Sequence, residues 1–210
     1  MKASKRWLIQ ALLSAAVALP WVTAHAADNS APDLLIRQLS QETLDAVRTD
    51  KAIQAGDVGR VMTMVDAKVM PHVNFQRMTA SAVGRFWRQA TPEQRQRLQD
   101  EFKTLLLRTY SGALAQVKDQ QVALKPLRAS PEDKEVVVKT EVRGKGEPIQ
   151  LDYRLEKSEQ GWRIYDMNVL GIWLADQYRN SFAQEINAKG IDGLIKSLAE
   201  RNQKAAQTKS

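Results

Sequence analysis

The spacing of apolar residues changes from a helical period to a period of two near residue 120. Before this point, apolar positions recur every three to four residues and predict a first helix opening at residues 30–33, followed by helices over 57–69, 79–89 and 91–119. The long helix has the clearest start, because Thr91 can cap it, Pro92 suits its first position and Gln94 completes a capping box.

Beyond residue 120 the pattern is that of strands. Alternating runs cover residues 121–127, 135–142, 149–157 and 161–169, and short polar turns separate them. Helices are then predicted over 174–188 and 191–202, with Gly190 between them. Short turns favour an antiparallel meander. The fold class predicted is α+β, a curved antiparallel sheet of about four strands with helices packed on one face.

The first 26 residues have the pattern of a signal peptide. Three basic residues precede an apolar run, and Ala24-His25-Ala26 fits a small-x-small cleavage site. The run is shorter than the roughly 20 apolar residues of a membrane anchor. We therefore expect cleavage after Ala26, export of the mature protein, and one domain over residues 27–210.

Composition excludes several classes of function. Loss of the three basic residues of the signal peptide lowers the formal charge from +7 to +4, and no block of like charge points to nucleic acid. The chain has no cysteine, and cleavage leaves His72 as its one histidine, so a zinc or copper site is not expected. We expect no metal and no cofactor. His72 follows Pro71 at a helix end. A surface or boundary position is the preferred interpretation, and a catalytic role is the alternative.

Asp166 is the one acidic residue in the strand-like run over residues 161–173. Strict alternation places it on the same face as Trp162 and Ile164, near the end of the sheet. A catalytic carboxyl group needs a second titratable group, and the sequence offers Asp152, Tyr110 or His72 without a spacing that ties them together. A structural role at the start of the next helix is the preferred interpretation, and a catalytic role is the alternative.

Aromatic and aliphatic residues are abundant between residues 86 and 182. Such a pattern is typical of a filled core, although a sheet covered by helices can also leave a hollow between the two layers. Periodicity does not distinguish a filled interior from a hollow one.

Several motifs, in order along the chain, resemble the MlaC family of periplasmic phospholipid-carrying proteins, also called the toluene-tolerance auxiliary family. They are GRFWRQATPEQRQRLQDEFKTLLLRTYSGAL, LDYRLEKSEQGWRIYDMNVLGIWLADQYRNSF and KGIDGLIKSL. The resemblance spans nearly all of the chain after the signal peptide. It implies a strongly curved sheet like that of nuclear transport factor two, wrapped by helices, with an apolar lipid cavity between the layers.

The resemblance also implies a function. One phospholipid is the cargo, and its tails occupy the cavity. The carrier, a monomer, shuttles lipid between an outer-membrane lipoprotein–porin complex and an inner-membrane ABC transporter with a lipid-binding ring, and so maintains outer-membrane lipid asymmetry. Many members have Gly-Val-Ser where this chain has Gly171-Ile172-Trp173, and a tryptophan at this point would narrow or line the cavity.

The candidate lipid-binding residues come from the helix stripe, the strand alternation and the resemblance. The stripe and the alternation supply Trp87, Leu106, Tyr110, Leu114, Val138, Leu151, Tyr153 and Ile172. The resemblance adds Gln150, whose amide would reach a head group at the pocket mouth, and Trp173.

Two other functions are compatible with the same fold. One is a small hydrolase or isomerase that uses Asp166 with Tyr110 or His72. The other is a partner-binding module with a filled core. Co-purified phospholipid distinguishes the carrier from both.

Overall fold

The computed structural model describes residues 31–130 and 132–207, so the expected signal peptide lies outside it. The helices are α1 (Pro32–Thr49), α2 (Lys51–Gln54), α3 (Val58–Lys68), α4 (Phe75–Val83), α5 (Pro92–Ala115) and α6 (Leu174–Gln207), with 3₁₀ turns at Met70–His72 and Gly84–Gln89. The strands are β1 (Gln121–Leu124), β2 (Glu135–Val138), β3 (Thr140–Arg143), β4 (Ile149–Ser158), β5 (Gly161–Val169) and β6 (Ile172–Trp173). None of the helices described is long and apolar enough to cross a membrane.

The strands form an antiparallel sheet built around β4. β5 pairs along one edge of β4, and β2 and β3 pair one after the other along the opposite edge. β1 extends the sheet beyond β3, and β6 extends it beyond β5. The α+β class is confirmed. The expected four strands are six, because the run over residues 135–142 divides at Lys139 and because Ile172–Trp173 adds a short strand.

A β-bulge in β5 overturns the predicted alternation around Asp166. Ile164 pairs with Leu155 and Asp166 pairs with Arg154, so Tyr165 has no partner on β4. One extra residue exchanges the two faces of a strand beyond that point. Asp166 therefore lies on the face opposite Trp162 and Ile164, and Met167 takes the place on the apolar face that alternation assigned to Asp166.

The sheet has two chemically different faces. Leu151, Tyr153 and Leu155 of β4 share one face with Ile164 and Met167 of β5, and this inner face packs against α1. The outer face carries charged and polar residues, including Arg154, Glu156 and Asp166.

A two-residue turn joins β5 to β6. Val169 pairs with Ile172, and Leu170 and Gly171 between them have φ angles of 54° and 88°. Positive φ at both central residues is characteristic of a type I′ turn, in which the sequence Asn-Gly is preferred. The Leu170 amide donates to the Gln150 carbonyl oxygen (3.0 Å), and the Gly171 amide donates to Asn168 Oδ1 (2.9 Å). Leu170 is therefore held in the left-handed region, which is unfavourable for leucine.

We expect Leu170→Asn to raise the free energy of unfolding by about 0.5–1 kcal/mol, because asparagine tolerates this conformation. Little burial is lost, since Leu170 is 66% exposed. Gly171→Ala in the same turn should lower the free energy of unfolding by about 1 kcal/mol. Urea denaturation measures both changes, and a destabilised Leu170→Asn protein would contradict the assignment of strain to Leu170.

The predicted helix ends agree best with the structure where a capping interaction or a glycine marks them. Thr91 Oγ1 accepts a hydrogen bond from the Gln94 amide (3.2 Å), and Gln94 Oε1 accepts one from the Thr91 amide (3.0 Å). The predicted capping box at the start of α5 is confirmed. The predicted break between the last two helices is also confirmed, because Gly190 has φ 72° and ψ 179° within α6. The predicted helix over 79–89 is instead α4 followed by a 3₁₀ turn.

The buried apolar residues form three clusters. Cluster 1 joins α4, the 3₁₀ turn after it, α5 and α6, and its residues include Phe102, Leu106 and Phe182. Cluster 2 joins α1 to the inner face of the sheet. Cluster 3 joins α1, α2 and α3 and has α5 at its border. α5 packs mainly on α6 and α3 and makes little contact with the sheet.

Candidate functional site

The region where the three clusters meet is lined by partly exposed apolar side chains. Phe75 and Met167 pack against both cluster 1 and cluster 2, and Val69 and Met70 pack against both cluster 2 and cluster 3. None of these four side chains is fully buried. We call this region, with the flanking residues of α5 and the inner sheet face, the junction.

One stripe of α5 borders the junction. Phe102 packs on Tyr178 and Phe182 of α6, whereas Lys103 Nζ reaches Asp66 Oδ1 of α3 (2.8 Å). A helix turns about 100° per residue, so Leu106 and Tyr110 point between these two directions. Phe75, which packs against both cluster 1 and cluster 2, has its ring centroid 5.8 Å from that of Phe102. The stripe of Leu106 and Tyr110 on α5 therefore continues from the part of cluster 1 that borders cluster 2.

The inner face of the sheet continues the apolar lining to the sheet's end. Leu151 pairs with Val169, which pairs with Ile172, so the three side chains form a cross-strand row on one face. Ile149 precedes Leu151 by two residues and shares this face. Exposure rises towards the end of the sheet, where Ile172 is 54% and Ile149 45% exposed. The lining thus runs from the buried cluster to a solvent-exposed rim.

The predicted lining residues fall into two groups. Eight lie on the inner side of the molecule or in the clusters that border it: Trp87, Leu106 and Tyr110 in cluster 1, Leu114 against cluster 3, Val138, Leu151 and Tyr153 in cluster 2, and Ile172 at the rim. Leu106, Val138 and Tyr153 are buried, whereas Tyr110, Leu114 and Leu151 are partly exposed.

Gln150 and Trp173 lie on the outer face instead. Gln150 Nε2 donates to Asp152 Oδ2 (2.6 Å). Trp173 pairs with Asn168, and its ring stacks under the Arg154 guanidinium, 3.9 Å from the ring centroid. Because side chains alternate between the faces of a strand, Trp173 points away from Ile172 and from the junction. The expectation that Trp173 narrows the inner space does not agree with this placement.

The Tyr153 hydroxyl group is protonated at neutral pH. Burial raises the pKa of its hydroxyl group to about 12, although a hydrogen bond with the Ser40 side chain opposes the rise. Burial also raises the pKa of Tyr110. Both hydroxyl groups are therefore uncharged at neutral pH, and both rings pack with the apolar clusters that border the junction.

Asp166 holds the start of α6. Its Oδ1 atom accepts hydrogen bonds from the Met167 amide (2.9 Å) and the Ala175 amide (3.1 Å), and its Oδ2 atom accepts one from Arg154 Nη1 (2.9 Å). Ala175 is the second residue of α6, so the carboxylate serves an unpaired helix amide and faces the positive end of the helix dipole. Burial raises the pKa of Asp166, and both amides and the guanidinium oppose this rise. Tyr110 and His72 are not among the hydrogen-bond partners described for Asp166.

We expect Asp166→Asn to lower the free energy of unfolding by about 1–3 kcal/mol. The asparagine oxygen can still serve both amides, but its NH₂ group faces the Arg154 guanidinium, and two donors then meet. Asp176→Asn is the control, because Asp176 Oδ2 also approaches Arg154 Nη1 (3.7 Å) but from an exposed position. The control should change stability by less than about 0.5 kcal/mol. Urea denaturation of both variants checks this, and equal effects would contradict the role assigned to Asp166.

Two surface hollows lie over the described residues, and the second of them includes Phe75 of the junction in its lining. One, of about 880 Å³, is lined by α1, α2 and α3 and contains the ion pair of Asp50 and Arg60. The other, of about 600 Å³, has a largely polar lining that includes Asn74, Gln99 and Arg163. Neither is lined by a predicted lipid-binding residue. Among the residues that the structure describes, no group of three or more acidic or histidine side chains is arranged to hold a metal ion.

Pattern analysis missed Val69, Met70, Phe75 and Met167. The first three lie at a helix end, in a 3₁₀ turn and at a helix start, where a helical period carries little information. Met167 was assigned to the opposite face, because the bulge at Tyr165 leaves no mark in the alternation. The concentration of apolar residues on either side of Pro71 is the sequence feature that could have identified Val69, Met70 and Phe75 as lining residues.

Comparisons with known proteins agree on one family. The family model described as "MlaC protein" matches residues 37–200. The chain is 21% identical over 183 residues to the Haemophilus influenzae intermembrane phospholipid transport system binding protein MlaC, covering 85% of this chain and 86% of that protein. It is 26% identical over 206 residues to the toluene tolerance protein ttg2D of Pseudomonas putida, covering 94% of each.

A solved structure extends the comparison to the fold. The phospholipid-binding protein of Ralstonia solanacearum, determined in complex with a phospholipid, is 45% identical and superposes with a TM-score of 0.82. The match covers 84% of this chain and 99% of that chain.

Proposed function

This chain belongs to the MlaC family, and from that premise we propose that it is a periplasmic carrier that binds one phospholipid and shuttles it between membranes. The observation that carries the proposal is the junction, a partly exposed apolar lining between α5 and the inner face of the sheet. The phospholipid complex of the Ralstonia solanacearum protein supports it, since that protein shares 45% of its residues and the fold with this chain.

We place the acyl tails between the α5 stripe and the inner sheet face. Tyr110 and Leu114 form one side, Leu151 and Ile172 the other, and Met70 and Met167 lie at the ends. Methionine suits this position because its flexible side chain adapts to tails of different shape. Buried Leu106, Val138 and Tyr153 support these residues from behind, and Trp87 borders them in cluster 1. Gln150 and Trp173 are not part of this set.

Energetics favour a carrier with such a lining. Moving a tail out of water is favourable by about 0.8 kcal/mol per buried CH₂ group. A bilayer buries the same groups equally well, so a carrier with an apolar interior makes exchange with a membrane nearly neutral. No covalent step is needed for this activity. Asp166, the candidate base, is occupied by two amides and a guanidinium on the opposite face of the sheet.

Proposals on location and partners follow from family membership. We propose that residues 1–26 direct export and are removed. The partners we propose are an outer-membrane lipoprotein–porin complex and an inner-membrane ABC transporter with a lipid-binding ring, and the role is maintenance of outer-membrane lipid asymmetry. The intermembrane phospholipid transport named for the Haemophilus influenzae relative supports a transport role.

A transfer assay tests the proposal. Donor vesicles carry a phospholipid with a self-quenching fluorophore, acceptor vesicles carry none, and dequenching reports transfer. We expect the protein to raise the transfer rate in proportion to its concentration, with the phospholipid recovered intact. Transfer no faster than in protein-free mixtures would contradict the carrier, and lysophospholipid or free fatty acid among the products would favour a hydrolase.

A further inference from the structure

The end of the sheet at the β5–β6 turn carries a concentration of exposed apolar residues. Leu170 is 66% exposed, Ile172 54% and Ile149 45%, and these are three of the five large apolar side chains with high exposure among the described residues. The Leu170 amide donates to the Gln150 carbonyl oxygen, next to Ile149, and Ile172 follows Leu170 by two residues. The three side chains therefore belong to one end of the sheet, which we call the apolar tip.

Backbone strain coincides with exposure at Leu170. It is the one residue other than glycine with positive φ in the described part of the chain, and it occupies a turn position that favours asparagine. A leucine that is 66% exposed gains little from contacts within the folded chain. Strained residues cluster at functional sites, so the strain and the exposure of Leu170 together suggest a contact outside the protein.

The apolar tip is too small for a stable protein interface. Each partner in such an interface buries about 800 Å², more than three partly exposed aliphatic side chains supply. Interface centres are also enriched in aromatic residues and arginine, which the tip lacks. A protruding turn with aliphatic side chains matches the shallow insertion of apolar groups at a membrane surface.

The neighbouring turn has the charge that an anionic membrane attracts. Val142 pairs with Ile149, so the β3–β4 turn over residues 143–148 lies at the same end of the sheet. This turn carries Arg143, Lys145 and one acid, Glu147, and Arg143 also pairs with Glu141 Oε2 of β3 (2.9 Å). Basic residues close to a surface of anionic lipids contribute favourable binding energy that decreases as salt screens it.

We propose that the apolar tip, Ile149, Leu170 and Ile172, docks on the surface of an anionic phospholipid bilayer, with Arg143 and Lys145 facing the head groups. The row of Leu151, Val169 and Ile172 connects the tip with the junction, so a docked protein has its apolar lining open to the acyl region. The role of the docked tip in opening the lipid site rests on the proposed function. The docking itself rests on the exposure of the tip and on the strain at Leu170.

Vesicle flotation of the purified protein tests the docking. Vesicles of equal parts phosphatidylglycerol and phosphatidylcholine are mixed with wild type, Leu170→Asn, Ile149→Thr or Leu34→Gln. Leu34 on α1 is 52% exposed and is the control for loss of an exposed leucine elsewhere. We expect wild type to float with the vesicles, the two tip variants to bind roughly fivefold less, and the control to bind as wild type does.

Three results of this experiment would overturn the proposal, and a fourth comes from vesicles that contain membrane proteins. The first three are no flotation of wild type, unchanged flotation of Leu170→Asn, and equal losses for the tip and control variants. Flotation only with vesicles that contain membrane proteins would assign the tip to a protein partner and also overturn it. Phospholipid that co-purifies with each variant is measured in parallel, so failure of docking with normal lipid content leaves the carrier function standing.

Discussion

Replacing Gly193 by alanine should lower the free energy of unfolding by about 3 kcal/mol or more. A Cβ atom at Gly193 would lie 2.2 Å from the Lys189 Cβ atom, which belongs to the turn before the kink at Gly190. Neither atom can move without moving its backbone, so the two parts of α6 must separate. Leu194, Ile195 and Leu198 then lose their places in cluster 1.

Gly112→Ala is the matched control for this prediction. Gly112 lies within α5, and a Cβ atom built there meets no other atom within 4 Å. Alanine is favoured over glycine inside a helix, so this variant should gain up to about 1 kcal/mol. Urea denaturation measures both variants. A Gly193→Ala protein as stable as wild type would contradict the close approach across the kink.

Replacing Leu151 by arginine should slow phospholipid transfer between vesicles about tenfold or more. Leu151 is partly buried on the inner sheet face, in the row that leads to the rim. Arginine can extend its stem along this row and keep its charge in water near Ile172. The fold therefore survives, while a charged group crosses the space proposed for the tails, where an unpaired charge is unfavourable.

Val137→Arg is the control for Leu151→Arg. Val137 pairs with Arg154, is 40% exposed and faces the outer side of the same sheet. The variant adds the same charge to a strand without entering the junction. Its transfer rate should remain within about twofold of wild type. Equal losses for both variants would remove the inner face from the proposed lipid site.

The sequence predicted those parts of the fold that local chemistry defines. Thr91 and Gln94 mark the start of α5 because capping depends on residues three positions apart, and Gly190 marks the kink because it takes a conformation suited to glycine. The division of the 135–142 run into β2 and β3 was not predictable, since apolar alternation continues through Lys139 while the pairing with β4 is interrupted.

The sequence predicted the face of the site residues on β4, but not of those that follow the bulge at Tyr165 in β5. Alternation along β4 placed Leu151 and Tyr153 together, and pairing with β5 confirms their shared face. The extra residue, Tyr165, shifts the inner–outer alternation of side chains by one position. Asp166 and Trp173 therefore lie on the outer face, and Met167 lies on the inner face. A bulge depends on pairing between strands, which the sequence of one strand does not reveal. The structural interpretation of Asp166 agrees with its hydrogen bonds to α6.

Native mass spectrometry of the wild-type protein purified from cells tests the central claim most directly. Gentle ionisation retains a ligand enclosed between apolar surfaces, and the mass then reports both its presence and its number. We predict a dominant species with the mass of the protein plus one phospholipid, which organic extraction recovers intact. A dominant ligand-free species, with no phospholipid in the extract, would contradict the carrier and favour a protein whose interior is filled by its own side chains.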